Sequence, residues 1–147
     1  MNNQKNIVLC GVGGQGTVLA SKLLAAAAMS KDIPVMSAET IGMAQRGGSV
    51  FSHLRMGDNL YSPMIETGTA DLIIGFEPGE TVRMLPYLKD HGHIVVSTRA
   101  VKPVTATLSG SDYDAPQMLE YLKAAVPNLT LVNADQACAD IGSSKVL

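Results

Sequence analysis

Short apolar runs alternate with helical segments along most of the chain. The first run, residues 6–10, ends in a glycine-rich turn, and residues 17–30 after the turn are rich in Ala and Leu. This order predicts a buried strand followed by a helix. Residues 33–38 predict a second strand, closed by Glu39. A strand, a helix and a strand within about 35 residues indicate a βαβ unit with parallel strands and a right-handed crossover.

The remaining segments continue the same alternation. Pro86 is expected to kink or shorten the helix in which it falls. Asn133 is placed to cap a last helix. The apolar patterns predict strands at 70–77, 93–97 and 129–132 and helices at 80–89 and 115–126. The chain is therefore expected to form one α/β domain over residues 1–147, with a mostly parallel sheet.

Residues 49–56 depart from this rhythm because their polar and apolar side chains alternate. The alternation predicts a half-exposed strand. Gly57-Asp-Asn59 then turns the chain into Leu60-Tyr61, which indicates an inserted β-hairpin. Apolar side chains on an edge hairpin invite pairing, so residues 49–61 and the loop before them are expected to form a surface for self-association or for a partner.

Composition narrows the class of protein. Of 147 residues, 46% are hydrophobic and 16% are charged, which suits a packed domain rather than a disordered chain. The net charge of −2 argues against nucleic acid as a partner. No apolar run has the length of a leader or membrane span, and Cys10 and Cys138 fit two buried thiols in a reducing compartment, so the expected location is cytoplasmic.

The glycine-rich turn is the first candidate site. Gly11-x-Gly13-x-x-Gly16 follows a predicted strand and opens a predicted helix, which is the context of a Rossmann-like dinucleotide fingerprint. Backbone N–H groups near Gly13, Gly14, Gln15 and Gly16 then favour an anion at the helix N-terminus. Two interpretations of the turn stay open: it binds an anion or nucleotide, or its glycines serve tight strand–helix packing alone.

Glu39 and the segment after it form the second candidate. Glu39 ends the second strand where an NAD-binding fold places its ribose-binding carboxylate, so a nicotinamide cofactor is one possibility. Residues 40–48, however, form a second glycine-rich segment where such a fold begins its next helix. Within it, Gln45 and Arg46 precede two glycines, and Arg46 is either a guanidinium that binds a carboxylate or phosphate or a solvated loop cation.

The two glycine-rich segments together resemble a known family. Residues 11–16 (GVGGQG) and 39–55 (ETIGMAQRGGSVFSHLR), with 70–78 (ADLIIGFEP) and 85–88 (LPYL), are similar to the γ subunit or domain of the 2-oxoacid:ferredoxin oxidoreductases. The similarity is greatest to the β subunit of indolepyruvate ferredoxin oxidoreductase, and it covers essentially the whole chain. Members usually continue beyond Leu147, so the chain is expected to be truncated at its C-terminus.

The resemblance implies a subunit that does no complete chemistry alone. A larger partner carries thiamine diphosphate and iron–sulfur clusters, and the complex oxidises a 2-oxoacid to acyl-coenzyme A and reduces ferredoxin. The residues agree, since two cysteines are too few for a cluster. Coenzyme A is a candidate ligand of the glycine-rich cleft, no metal is expected in this chain, and no catalytic residue is assigned. The alternatives are a free-standing NAD- or nucleotide-binding protein and a regulatory nucleotide-binding module.

Four other residues have weaker claims to function. His53 is either an acid–base group or, more simply, a packed histidine. His91 and His93 bracket Gly92 in an expected turn and are weak metal candidates. Glu77 ends a parallel strand at the edge where ligands bind, and it is either a site residue or a loop acid.

Overall fold

The computed structural model describes residues 4–40, 47–102, 104–108, 110 and 112–142. Strands and helices alternate along this part of the chain, as the sequence pattern predicts. The strands are β1 (Lys5–Val12), β2 (Val35–Thr40), β3 (Ser49–Met56), β4 (Ala70–Gly75), β5 (Leu88–Ser97) and β6 (Leu129–Val132). The helices are α1 (Thr17–Met29), α2 (Pro78–Met84), α3 (Val104–Leu108), α4 (Ala115–Ala125) and α5 (Ala134–Asp140), with a 3₁₀ turn at Leu85–Tyr87.

The strands form one mixed sheet in the order β2-β3-β1-β4-β5-β6. β1, β4, β5 and β6 pair in parallel, whereas β3 runs antiparallel to both β1 and β2. Helix α1 packs against β1, β2 and β3, and α2 packs against β1, β4 and β5. The predicted α/β fold with helices on a mostly parallel sheet is confirmed.

The predicted hairpin of residues 49–61 is wrong in its second strand. β3 pairs with β1 and β2, while Leu60 and Tyr61 lie outside the sheet and Tyr61 is 89% exposed. The antiparallel pair inserted into the sheet is therefore β2 with β3. Ser52, His53 and Leu54 are all buried, so β3 is an interior strand rather than a half-exposed edge. The alternation of polar and apolar side chains does not indicate exposure here, because both faces of β3 are covered. The surface predicted for association is therefore not a sheet edge at β3.

The predicted βαβ unit is also interrupted by β3. β1 and β2 run in the same direction, as the crossover requires, but β3 lies between them in the sheet. A parallel neighbour would need only the α1 crossover, whereas the observed order also needs the chain to return along β3. Sequence distance alone does not distinguish the two arrangements.

The two faces of the sheet can be assigned from β1, since successive residues of a strand point to opposite faces. Cys10 faces α2, with its Sγ atom 4.0 Å from the Thr81 Oγ1 atom, whereas Gly11 faces Thr17 of α1. The main core lies on the α2 face and includes Met84 of α2 and Leu122 of α4. Burial raises the pKa of the Cys10 thiol to about 12. Cys138, predicted to be buried, is only half-buried.

Three element boundaries differ from the predictions. Helix α2 starts at Pro78 and ends at Met84, because Pro86 forces the chain into a 3₁₀ turn. Helix α3 has no counterpart in the sequence-based reading. β5 begins at Leu88, so His91 and His93 lie in a strand rather than a turn, although His91 has a φ of 61° in an irregular part of the β4–β5 register.

Candidate functional site

The chain changes direction across the sheet between β1 and β4. After β1 it crosses through α1 toward β2, and after β4 it crosses through α2 toward β5 on the other side. Right-handed crossovers in opposite directions place α1 and α2 on opposite faces. Residues 11–16 and 76–78 therefore diverge at the carboxyl ends of adjacent strands. Such a topological switch point is the usual ligand-binding crevice of an open α/β sheet.

The glycines of the first turn serve different purposes. A Cβ atom on Gly11 would lie 2.8 Å from the Thr17 Oγ1 atom and 2.9 Å from the Phe76 Cβ atom, so this position has no room for a side chain. Gly14 and Gly16 have φ values of 99° and 81°, which favour glycine, and the space beside them is open. Gly11 is therefore required by packing, whereas the open space over Gly14 and Gly16 can admit a ligand.

Gln15 joins the two strand ends at the switch point. Its Oε1 atom accepts a hydrogen bond from the Val12 N–H at 2.7 Å, and its Nε2 atom donates to the Phe76 carbonyl at 3.1 Å. Both polar groups of the side chain are thus bonded to the protein backbone. The structure supports a role for Gln15 in shaping the turn rather than in contacting a ligand through its amide.

The second glycine-rich segment lies beside the first at its described end. The Gly13 N–H donates to the Gly48 carbonyl at 2.8 Å, and the Gly47 N–H donates to the Gly13 carbonyl at 3.4 Å. The Val104 N–H donates to the Gly47 carbonyl at 3.2 Å, so α3 packs on the other side of the segment. Gln45 and Arg46, predicted as ligand-binding residues, lie outside the described residues and directly precede Gly47 in the chain.

The N-terminus of α1 has the features of an anion site. The N-cap residue is Gly16, which has no side chain to cap the helix, and no acidic residue lies in the first turn. The first N–H groups of a helix have no partner within it, and the helix dipole favours a negative charge there. Within the turn itself, the N–H groups of Gly13 and Gln15 are already bonded to protein carbonyls. The first N–H groups of α1 are therefore better placed as donors than those of Gly13 and Gln15. Thr17, which opens α1, also carries a buried hydroxyl with no partner among the described residues.

Glu39 lies farther from this turn than a dinucleotide-binding fold requires. It is half-buried near the end of β2, opposite Ser52 of β3. Because β3 separates β2 from β1, two strand spacings, or about 10 Å, lie between β2 and the strand that carries the turn. In the Rossmann order the second strand is the direct neighbour of the first.

Two carboxyl groups at the start of α2 form a part of the site that sequence reasoning largely missed. Glu77 is 0% exposed and caps α2, with its Oε2 atom accepting from the Glu80 N–H at 2.9 Å. Glu80 is 2% exposed, and its Oε2 atom accepts from the Ser49 hydroxyl at 2.5 Å. Only Glu77 was considered a candidate from the sequence. The i, i+3 spacing of the two acids around Pro78 was the available signal for Glu80.

His53 is a packed histidine, the simpler of its two interpretations. It is 1% exposed, its Nδ1 atom accepts from the Ile65 N–H at 2.8 Å, and its ring lies 5.2 Å from that of Tyr87. Burial lowers its pKa below the ordinary value, which favours the neutral ring. The Nε2 atom has no hydrogen-bond partner among the described residues.

Neither a metal-binding cluster nor a membrane-spanning helix occurs in the described part of the chain. No group of three or more His, Cys, Asp or Glu residues there has an arrangement that could hold a metal ion. His91 and His93 are both exposed in β5. Within the same residues, no helix combines the length and apolar character needed to cross a membrane.

The fold, with a glycine-rich turn at its switch point, is that of a Rossmann-like α/β protein. Residues 6–147 match the family described as pyruvate ferredoxin/flavodoxin oxidoreductase, and the chain belongs to that family. This agrees with the resemblance carried by the two glycine-rich segments.

Named relatives agree with this family, and a solved structure agrees with the fold. The chain is 39% identical to indolepyruvate oxidoreductase subunit IorB of Archaeoglobus fulgidus, over 94% of this chain and 69% of that protein. It is 36% identical to the subunit of the same name from Methanothermobacter thermautotrophicus, over 93% of this chain and 70% of that protein. The fold matches 2-oxoglutarate:ferredoxin oxidoreductase from Magnetococcus marinus, solved with 2-oxoglutarate, coenzyme A and succinyl-CoA, with a TM-score of 0.65 at 17% identity, over 95% of this chain and 22% of that one.

Proposed function

We propose that this chain is the small, γ-type subunit of an indolepyruvate:ferredoxin oxidoreductase and contributes a binding site for the phosphate-bearing part of coenzyme A. Its place as a subunit of a 2-oxoacid:ferredoxin oxidoreductase follows from its family and from relatives that carry such names. The choice of indolepyruvate rests on identities of 39% and 36% to subunits named for that substrate. The complex would oxidise the 2-oxoacid to acyl-coenzyme A and pass the electrons to ferredoxin.

The observation that carries the coenzyme A proposal is the uncapped N-terminus of α1 beside Gly48. Coenzyme A presents phosphate groups, and backbone N–H groups at a helix N-terminus favour such anions. The open space over Gly14 and Gly16 allows a phosphate to approach the backbone. Arg46 is proposed to add a guanidinium that binds the same anion, with Gln45 beside it.

The position of Glu39 favours coenzyme A over a nicotinamide dinucleotide. An NAD site needs a ribose-binding carboxylate at the end of the strand next to β1. Here β3 occupies that place and Glu39 lies one strand farther out. Glu39 is therefore proposed to line the outer rim of the crevice rather than to bind a ribose.

The surface of α1 supports a subunit rather than a free-standing protein. On its outer side Leu19, Leu23 and Met29 are 51%, 62% and 64% exposed. Lys22 is the single charged residue of α1, and exposed apolar groups clustered in this way mark an interaction surface. We propose that the covering partner is the larger subunit, which would also hold the thiamine diphosphate and iron–sulfur clusters. The two cysteines of this chain are too few to ligate a cluster of the common four-thiolate type.

The association is tested by co-expression with the larger subunit of an indolepyruvate oxidoreductase. Leu23→Glu should reduce the yield of complex at least about tenfold, since it places a charge in an apolar interface. Tyr121→Glu on α4 is the matched control, because Tyr121 is 55% exposed on the opposite face of the sheet. Equal loss of complex in both variants, or in neither, would refute this docking face.

Coenzyme A binding is tested by calorimetry on the purified complex. Arg46→Ala should weaken binding by about 1 to 3 kcal/mol, the usual value of a charge-assisted hydrogen bond. Lys123→Ala is the control, since Lys123 is paired with Glu120 on the exposed side of α4. An unchanged affinity in Arg46→Ala would remove Arg46 from the site, and tight NAD binding by the lone chain would favour the free-standing alternative.

A further inference from the structure

The described end of the second glycine-rich segment, Gly47-Gly48, is held by contacts from three directions. Gly13 binds it through two backbone hydrogen bonds, and Val104 of α3 binds the Gly47 carbonyl. The third contact comes from the side chain of Ser49, which follows the two glycines and donates its hydroxyl to Glu80. This third contact ties the segment to α2 and thereby to the far side of the switch point.

The hydrogen bond between Ser49 and Glu80 is shielded from solvent. The Ser49 hydroxyl donates to the Glu80 Oε2 atom at 2.5 Å, and hydrogen bonds to a carboxylate are about twice as strong as those between neutral groups. Glu80 is 2% exposed, so water has little access to compete for the carboxylate. Its Oε1 atom has one charged neighbour, the Arg83 Nη2 atom at 3.7 Å. A glutamate buried to this extent at the start of a short helix would otherwise be costly.

We propose that Glu80 is a positioning residue of the ligand site, which holds Gly47 and Gly48 beside the first glycine turn through Ser49, and that Glu77 makes this hold dependent on pH. The effect on ligand affinity rests on the proposed coenzyme A site, whereas the position of Gly47 and Gly48 does not depend on it.

The dependence on pH follows from the packing of Glu77 against Glu80. Burial raises the pKa of Glu77 to about 7, and the charge of Glu80 adds to the rise, while the N–H groups of Glu80, Gly79 and Val101 act against it. Glu77 is 0% exposed, so water does not screen the two carboxyl groups from each other. The other groups around the pair are the Cys10 thiol, which stays neutral because its pKa is about 12, the Arg83 guanidinium and the Tyr113 hydroxyl.

The contact between Ser49 and Glu80 is expected to weaken as the pH rises. Below pH 7 Glu77 is neutral. Above pH 7 it gains a negative charge within one helical turn of Glu80, and like charges in a buried site repel. Arg83 is 60% exposed, so Glu80 can relieve the repulsion by turning toward it and away from Ser49. The segment should therefore be held less firmly as the pH rises through 7.

The first experiment measures coenzyme A affinity of the purified complex by calorimetry between pH 6 and pH 8.5. Ser49→Ala should lower affinity about tenfold at pH 6, and Glu80→Gln, which keeps a neutral acceptor, by about threefold. Wild-type affinity should fall several-fold across the range, whereas Glu77→Gln should give a flat profile. The control is Ser30→Ala, because the Ser30 hydroxyl binds only the exposed end of α1. A profile in Glu77→Gln that matches wild type would overturn the role of Glu77.

The second experiment needs no ligand and so separates this inference from the proposed function. Hydrogen–deuterium exchange of the Gly13 and Gly47 amides in the complex reports how firmly the two segments are joined. Exchange should be faster in Ser49→Ala and Glu80→Gln than in wild type or Ser30→Ala. Unchanged exchange in both would refute the positioning role, even if coenzyme A binds. Faster exchange in a complex that does not bind coenzyme A would support the positioning role and refute the proposed ligand.

Discussion

Replacement of Gln15 by Ala tests whether its side chain holds the switch point together. The change removes two hydrogen bonds, one to the Val12 N–H and one to the Phe76 carbonyl. Each bond contributes about 1 kcal/mol, and a buried donor left without a partner costs about 1 to 3 kcal/mol. Val12 is 1% exposed, so water cannot readily replace the lost acceptor. We expect the free energy of unfolding to fall by about 2 to 4 kcal/mol.

The measurement is urea unfolding followed by circular dichroism. Gln15→Glu separates the two bonds, because it keeps an acceptor for the Val12 N–H but places an oxygen against the Phe76 carbonyl, and it should destabilise the protein to a similar degree. Gln117→Ala, at an exposed position of α4, is the matched control and should change stability by less than about 0.5 kcal/mol. A Gln15→Ala protein as stable as the control would refute this account of the turn.

Three further outcomes are expected. Gly47→Ala should destabilise by about 1 to 3 kcal/mol more than Gly68→Ala in urea unfolding, because both glycines have positive φ but a Cβ atom at Gly47 would overlap the Val104 side chain, whereas the space at Gly68 is open. Cys138 should react with a thiol reagent at pH 8 while Cys10 reacts only on unfolding, since Cys10 is buried with a pKa of about 12; equal rates would contradict this. The pKa of Glu77 is raised to about 7, so this residue lowers the free energy of unfolding as the pH rises from the pKa of Glu77 in the unfolded chain to about 7. The stability of Glu77→Gln relative to wild type should therefore be up to about 3 kcal/mol greater at pH 8 than at pH 4; a pH-independent difference would count against it.

Much of the fold was predictable because its signals are local. The helix over 17–30 corresponds to α1, residues 129–132 are β6, and Asn133 caps α5 by accepting from the Gln136 N–H at 3.1 Å. In each case a run of a few residues contains both the element and its end signal. Glycine spacing likewise predicted the turn at the switch point, since Gly14 and Gly16 need positive φ and Gly11 has no room for a side chain.

The candidate site was less predictable because its parts meet only through tertiary contacts. Gly13 pairs with Gly48 because β3 runs antiparallel beside β1, and no local pattern specifies that neighbour. Nothing local links Ser49 to Glu80, which lie 31 residues apart. The burial of Glu80 follows from the packing of α2 on the sheet, and an exposed helical glutamate would have the same sequence pattern.

By itself, the sequence determined the α/β class, the glycine turn and, through two motifs, the family. These properties depend on backbone preferences and on the spacing of apolar residues, which act within a few residues. Only the tertiary structure decided that β3 separates β2 from β1, that Gln15 bonds inward and that two carboxyls lie buried at the switch point. Strand order and burial depend on contacts between segments distant in sequence, and the same local pattern is compatible with more than one such arrangement.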